Sequence, residues 1–229
     1  MITWLIELLP VVLLGAVCGL DVVSFPQAMI SRPIVSATLG GGILGDPVGG
    51  LLVGAVLELI ALETLPFGSS RYPEWGSAGV VGGAIMGLTV VDAAGALPVA
   101  VLCALVTAYV SGSSMVLHRR LIAHNAHRNK RALEAGSGRA VRSVQLQGMT
   151  MDLVRGAIVT LVAFAVLRPL ARAIVAVWHS SPVYSPAVVL TLATIVAASA
   201  LYKIFHGIPK AVILFAVGLL GGIGVLVLG

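Results

Sequence analysis

Long apolar runs dominate the chain and are separated by short polar breaks. A helix needs about 20 mostly apolar residues to cross the roughly 30 Å hydrocarbon core of a membrane. On that measure the pattern predicts transmembrane helices over residues 2–23, 48–65, 93–117, 153–177, 187–205 and 208–228. Two further apolar stretches, 34–44 and 78–91, are short for a full crossing and predict re-entrant or broken helices. The expected fold is an all-α integral membrane protein, a polytopic helical bundle with re-entrant or broken helices.

The composition excludes a soluble enzyme. Apolar residues make up 59% of the 229-residue chain, charged residues only 10%, and the mean hydropathy is +1.07. A soluble domain carries about 25% charged residues. So few charges could not cover the surface of a globular protein. Lipid is therefore expected to surround most of the surface of this protein.

Half of the basic residues are concentrated in one segment between two apolar blocks. Seven of the 14 Lys and Arg residues are Arg119, Arg120, Arg128, Lys130, Arg131, Arg139 and Arg142. Such a run can bind nucleic acid or anionic lipid, but between apolar segments it is more typical of a cytoplasmic loop. We therefore divide the chain into a glycine-rich membrane block (1–117), a basic cytoplasmic loop (118–150) and C-terminal membrane helices (151–229). No nucleic-acid partner is expected.

Seven charged side chains fall within one region of the glycine-rich block, where a charge has a high energetic cost. They are Asp21, Arg32, Asp46, Glu58, Glu63, Arg71 and Glu74. An ionised side chain at mid-membrane costs about 2.5–3.5 kcal/mol on insertion scales, and those that occur there often have a function. Glu58 is the clearest example, because apolar residues flank it on both sides. We interpret its carboxylate as an acceptor for substrate hydroxyl groups; the alternative is an ion pair with Arg32 or Arg71 that only fixes helix packing.

Prolines mark three helix breaks beside these charged residues. The pairs are Arg32-Pro33, Asp46-Pro47 and Pro73-Glu74. The residue before a proline is pushed out of helical geometry, and broken helices at membrane depth expose backbone groups that can bind a substrate. The breaks therefore predict a transport pathway, with Asp21 and Gln27 as further polar liners.

Glycines recur four residues apart in the same block. The pairs are Gly41 and Gly45, Gly45 and Gly49, and Gly50 and Gly54. This spacing allows helix backbones to approach closely in a membrane, or it serves a non-helical stretch that lines a cavity, and the spacing alone does not decide between them. Because glycine-rich faces need partners, we expect the protein to form an oligomer.

No residue pattern predicts catalysis, a metal site or a cofactor. Cys18 and Cys103 lie in apolar runs, where free cysteine behaves as a small hydrophobe. His118, His124 and His127 lack a nearby carboxylate or cysteine for zinc and are predicted to be solvated loop residues. No nucleophile elbow or triad is present, and no cleaved signal peptide is expected.

The motifs of the glycine-rich block resemble a known bacterial family. The runs are Arg32-Pro33-Ile34-Val35, Leu39-Gly40-Gly41-Gly42-Ile43-Leu44-Gly45-Asp46 and Leu57-Glu58-Leu59-Ile60, followed by Gly68 and Pro73-Glu74. They are similar to the IIC membrane component of mannose/fructose/sorbose-type phosphotransferase systems. The resemblance is specific over about residues 15–90.

The resemblance implies a sugar permease subunit. A IIC component pairs with a second membrane subunit, IID, while soluble IIA and IIB subunits carry phosphate from phosphoenolpyruvate to the sugar. IIC itself then carries no phosphoryl group, and the location is the bacterial inner membrane, with several passes. The positions that match the family pattern, and so are expected to bind sugar, are Arg32, Asp46, Glu58 and Glu74.

Two other functions stay open on the sequence. One is a non-transporting membrane scaffold or sensor that binds soluble phosphotransferase proteins through residues 118–150. The other is an ion-coupled transporter in which Asp21 or Glu58 carries a proton.

Overall fold

The computed structural model describes residues 2–64, 72–88 and 93–228. Arg71 and Gly68, named above, lie outside these ranges. The helices are α1 (Ile2–Asp21), α2 (Pro33–Ile43), α3 (Pro47–Ala61), α4 (Trp75–Leu88), α5 (Ala96–Arg128), α6 (Lys130–Glu134), α7 (Gly138–Ala176), α8 (Tyr184–Phe205) and α9 (Ala211–Leu228). A short 3-10 turn, Leu62–Thr64, follows α3.

The expected all-α membrane fold is confirmed. Each of the six predicted spans contains one helix. Within the described residues, four segments are long and apolar enough to cross a membrane: α5, α7, α8, and α3 together with its 3-10 turn. The protein is a multi-pass membrane protein.

The two short helices predicted between the spans are also present. α2 has 11 residues and α4 has 14, so they are about 16 and 21 Å long at 1.5 Å per residue. Neither reaches across a hydrocarbon core of about 30 Å. Pro33 and Pro47 occupy the first turns of α2 and α3, where the missing proline N–H would have had no helical partner. This confirms the expectation of broken helices.

α4 lies at the centre of the bundle. All of its residues from 76 to 86 are buried, and it packs against α1, α2, α3, α5 and α7. The packing is close enough to require glycine: a Cβ on Gly40 of α2 would lie 3.1 Å from Val80 Cα. This arrangement places the start of α4 against the loop that follows α1.

The glycine spacing serves the close approach of helix backbones, one of the two purposes that the sequence left open. Gly54 of α3 lies so close to α2 that a Cβ there would be 2.7 Å from Ile34 Cα, and one on Gly41 would be 2.8 Å from Gly50 Cα. Gly45, by contrast, forms the turn between α2 and α3 with a φ of 99°, which favours glycine.

α1 packs along α7, and this contact gives the Glu7 carboxylate an ion-pair partner. A Cβ on Gly19 would lie 2.8 Å from Gly156 Cα, so the two backbones touch. Glu7 forms an ion pair of 2.5 Å with Arg168, whose guanidinium lies over the Phe164 ring at 5.7 Å. A charge in the first apolar run is thus paired within the bundle.

The basic segment is mostly helical and forms a hairpin. α5 continues past the predicted span to Arg128, and α7 begins at Gly138, well before residue 153. The expectation that His118 is a solvated loop residue is wrong: it lies in α5, is 7% exposed and pairs with a residue of α7. His124 and His127 are exposed, as expected, but they too lie in α5 and not in a loop.

α8 and α9 lie at the edge of the bundle. α8 packs against α3 and α5, and among the described elements α9 packs against α8 alone. Most residues of α9 are exposed, as expected for a helix whose remaining surface faces lipid.

Candidate functional site

Asp21, the last residue of α1, anchors the loop before α2. Its Oδ1 accepts a hydrogen bond of 2.7 Å from the Ala28 N–H. Its Oδ2 accepts hydrogen bonds from the N–H and hydroxyl of Ser31, at 2.9 and 2.8 Å. Asp21 is only 2% exposed, so a costly buried carboxylate is satisfied by holding the loop in one shape.

Glu74 plays a similar part at the start of α4. Its Oε1 accepts hydrogen bonds from the backbone N–H groups of Gly76 and Ser77, at 2.7 and 3.1 Å. Its Oε2 accepts one of 2.6 Å from the Ser111 hydroxyl of α5. A carboxylate near a helix N-terminus is stabilised by the unpaired N–H groups and the helix dipole, which explains why Glu74 tolerates an exposure of only 1%.

The fold brings Asp21 and Glu74 into one region. A Cβ on Gly76 would lie 2.8 Å from Glu74 Oε1, 3.0 Å from Ser31 Cβ and 3.1 Å from Cys18 Cβ. The end of α1, the loop after it and the start of α4 therefore meet at this glycine. Two of the six predicted site residues lie together here, buried.

Arg32 and Glu58 form the partly exposed portion of the site. The Arg32 guanidinium donates a hydrogen bond to Glu58 Oε1 within an ion pair. Glu58 Oε2 lies 3.4 Å from the Ile34 N–H at the start of α2. The Arg32 side chain is 53% exposed and that of Glu58 22%. The pair therefore leaves guanidinium donors and carboxylate acceptors accessible at a helix break.

Gln27 lies on the exposed loop between α1 and α2. It has a positive φ of 57°, and its side-chain amide donates to the Val23 carbonyl at 2.9 Å. The loop also presents Phe25 and Met29, which are 61% and 70% exposed. The loop anchored by Asp21 thus places one amide on the same break as Arg32.

Asp46 is separated from the other candidates. It precedes α3, and its Oδ1 accepts a hydrogen bond of 2.7 Å from the Gly49 N–H, as a helix N-cap does. It lies at the opposite end of α2 from Arg32, about 16 Å away along the helix. The structure therefore brings together the regions of Asp21, Gln27, Arg32, Glu58 and Glu74, but not Asp46.

Sequence reasoning missed the polar residues that α5 and α7 contribute. His118 Nε2 lies 2.7 Å from Asp152 Oδ1, and the Ser24 hydroxyl donates to Asp152 Oδ2. Arg155 Nη1 donates a 3.1 Å hydrogen bond to the Ser111 hydroxyl, which in turn donates to Glu74. The available signal was Asp152 and Arg155 at helical spacing at the start of an apolar run.

The site offers hydrogen-bond donors and acceptors. Among the residues that the structure describes, no three His, Cys, Asp or Glu side chains lie close enough to share a metal ion. Cys18 and Cys103 are buried free thiols. What the arrangement can do is present donors and acceptors of fixed position at a break in a membrane-embedded bundle.

Comparison with known sequences identifies the family. Residues 5–183 match the family of the sorbose-specific IIC component of the PTS system. The fructose permease IIC component of Bacillus subtilis (strain 168) is 24% identical over 157 residues, which make up 69% of this chain and 56% of that relative. The match thus spans little more than half the length of the relative.

Solved structures share the fold. A chain described as a membrane protein superposes with a TM-score of 0.69 at 17% identity, over 96% of this chain and 94% of that one. A chain from the cryo-EM structure of the mannose transporter ManYZ with microcin E492 gives a TM-score of 0.60, also at 17% identity, over 94% of this chain and 85% of that one. At such identities these matches show the fold alone. The family match covers residues 5–183, which is most of the chain. The protein therefore belongs to the family of sorbose-specific IIC components of phosphotransferase systems.

Proposed function

We propose that this protein is the sugar-translocating IIC subunit of a phosphoenolpyruvate-dependent phosphotransferase system in a bacterial inner membrane. It binds a hexose-like sugar and passes it across the membrane to partners that phosphorylate it. The observation that carries the proposal is the partly exposed ion pair of Arg32 and Glu58 at a helix break. Membership of the IIC family supports it.

The chemistry of the pair suits a sugar. Each sugar hydroxyl both donates and accepts hydrogen bonds, so a carboxylate and a guanidinium side by side can bind two neighbouring hydroxyls. The ion pair orients both groups before the sugar arrives, which reduces the entropy lost on binding. Gln27 adds an exposed amide from the adjoining loop.

Asp21 and Glu74 take a supporting role in this proposal. Their carboxylate oxygens already accept hydrogen bonds from the loop, from the start of α4 and from Ser111. We assign them the positioning of the loop and of α4, which frame the break. Asp46 caps α3 and remains a predicted sugar ligand only if the pathway extends to the far end of α2.

The subunit is proposed to be non-catalytic. Phosphate is carried by soluble IIA and IIB partners, and a IID-like membrane subunit completes the channel. The names of similar proteins, a fructose permease and a mannose transporter, suggest the sugars to test first. Sorbose follows from the family description.

The basic hairpin provides a surface for a soluble partner. Arg128, Lys130, Arg131, Arg139 and Arg142 are exposed there, around the single acid Glu134. Along α5, Arg128 lies about 15 Å beyond the end of the apolar run at His118, which is more than a Debye length at physiological salt. Such charges suit an acidic protein surface better than the lipid headgroups.

The test is equilibrium binding of labelled mannose, fructose and sorbose to the protein purified with its membrane partner. Glu58→Gln should weaken binding of the preferred sugar at least about ten-fold, as loss of a charged hydrogen bond predicts. The matched control is Glu63→Gln, since Glu63 also pairs with a cation, Lys203, but away from the break. Equal binding by both variants would contradict the proposed site. Binding of soluble partners without any sugar binding would instead indicate the scaffold function.

A further inference from the structure

An apolar groove follows the outer boundary between α5 and α7. It consists of two adjoining cavities of about 390 and 320 Å³ that share Ile158 and Val159. Apolar side chains line most of it, but Ser114, His118 and Arg155 line one end. The groove is therefore apolar along most of its length, and its His and Arg side chains lie at one end.

The length of the groove matches one leaflet of a bilayer. Its α5 wall extends from Val106 to Leu121, a separation of fifteen residues or about 22 Å at 1.5 Å per residue. Half of a bilayer of about 40–45 Å, headgroup regions included, is about 20–22 Å. Its polar end lies where the apolar run of α5 gives way to Arg119 and Arg120, the side predicted to be cytoplasmic.

Arg155 leaves hydrogen-bond donors unused at the polar end. It is 7% exposed, and its Nη1 donates to Ser111 at 3.1 Å. Its Nε and Nη2 are buried and find no partner among the described residues. Nearby carboxylates are occupied, since Asp152 is bonded to His118 and Ser24. A buried cation that no carboxylate of the described residues pairs with is costly, and a phosphate group at this end of the groove supplies the negative charge.

The dimensions favour a lipid chain over a protein segment. A helix with its side chains is about 10–12 Å wide, too wide for cavities of this volume between two neighbouring helices. An acyl chain is narrow enough to lie along them. Basic pockets between transmembrane helices on the cytoplasmic side also suit anionic headgroups.

We propose that the groove between α5 and α7 binds an anionic phospholipid, with an acyl chain along the apolar walls and the phosphate at Ser114, His118 and Arg155. This site is separate from the Arg32–Glu58 pair and does not depend on the proposed sugar transport. The lipid phosphate neutralises the charge of Arg155, and the acyl chain fills the surface between the two longest described helices.

The experiment is native mass spectrometry of the full-length protein in detergent with equal amounts of phosphatidylglycerol and phosphatidylcholine of the same acyl chains. The wild-type protein should retain phosphatidylglycerol about ten-fold more than phosphatidylcholine. Arg155→Gln should remove that preference. Equal retention of the two lipids by the wild-type protein would overturn the proposal.

A second variant tests the acyl-chain part without touching the buried polar residues. Val162 is 55% exposed and lines the groove, so Val162→Trp should fill it and lower phosphatidylglycerol retention about ten-fold. The control is Leu170→Trp, because Leu170 is similarly exposed on α7 and lines neither cavity. Equal lipid retention by Val162→Trp and Leu170→Trp would place the lipid elsewhere and overturn the proposal.

Discussion

Arg32 and Glu58 join the start of α2 to the last turn of α3 through an ion pair that protein covers only in part. The pair is compatible with the alternative interpretation of Glu58 from the sequence, an ion pair that only fixes helix packing. It also leaves half of the Arg32 side chain accessible. The two interpretations differ in what they expect when the pair is removed.

Removing the charge of Glu58 should leave the fold nearly intact. An exposed ion pair contributes about 0–1 kcal/mol, so Glu58→Gln should change the free energy of unfolding by no more than about 1 kcal/mol. Thermal unfolding in detergent, followed by size-exclusion chromatography, measures this. A much larger loss of stability would favour the packing interpretation.

The buried contact of His118 and Asp152 should be more sensitive. Removing one partner leaves a buried polar group unsatisfied, which costs about 1–3 kcal/mol, so His118→Ala should lower the unfolding temperature. His124→Ala is the matched control, because His124 is an exposed histidine on the same helix. Similar unfolding temperatures for the two variants would argue against a structural role for the pair.

The close approach of α2 and α3 depends on Gly54. A Cβ there would meet Ile34 Cα and the Pro33 carbonyl oxygen at 2.7 and 2.9 Å. Overpacking of this kind costs about 1–3 kcal/mol, so Gly54→Ala should reduce the yield of folded protein and its unfolding temperature. Gly221→Ala in α9, which has no neighbour within 4 Å, should leave both unchanged. Equal effects of the two substitutions would contradict the close packing of α2 against α3.

Local sequence rules predicted the breaks because proline acts on its own neighbours. Pro33 and Pro47 each open a helix where the sequence placed a break. The apolar spans followed from hydropathy, which depends on burial in lipid rather than on tertiary contacts. These features could be predicted without knowing which helices touch.

The hairpin and the partners of the site residues could not be predicted in this way. The apolar run ends at residue 117, whereas the helix continues to Arg128 through its own backbone hydrogen bonds. Ser111 and Asp152 meet their partners only when α5 and α7 pack against the loop after α1. Such contacts are set by tertiary packing and leave little local signal.

The hairpin is predicted to lie in the cytoplasm. A cysteine at exposed Ala135 should react with a membrane-impermeant maleimide in inside-out vesicles but not in intact cells. Ser180→Cys, beyond the other end of α7, should show the opposite pattern. The native Cys18 and Cys103 are 0% and 5% exposed and should stay unmodified. Labelling of Ala135→Cys in intact cells would contradict this prediction and place the hairpin outside the cell.

The most direct test of the central claim is phosphoenolpyruvate-driven sugar uptake into vesicles that contain this protein with its IIA, IIB and IID partners. Uptake should occur with the wild-type protein and with Glu63→Gln, and it should fall at least about ten-fold with Glu58→Gln while that variant still inserts and assembles. Normal uptake by Glu58→Gln would contradict the proposed sugar site. Uptake that needs an ion gradient and not phosphoenolpyruvate would contradict the proposed function itself.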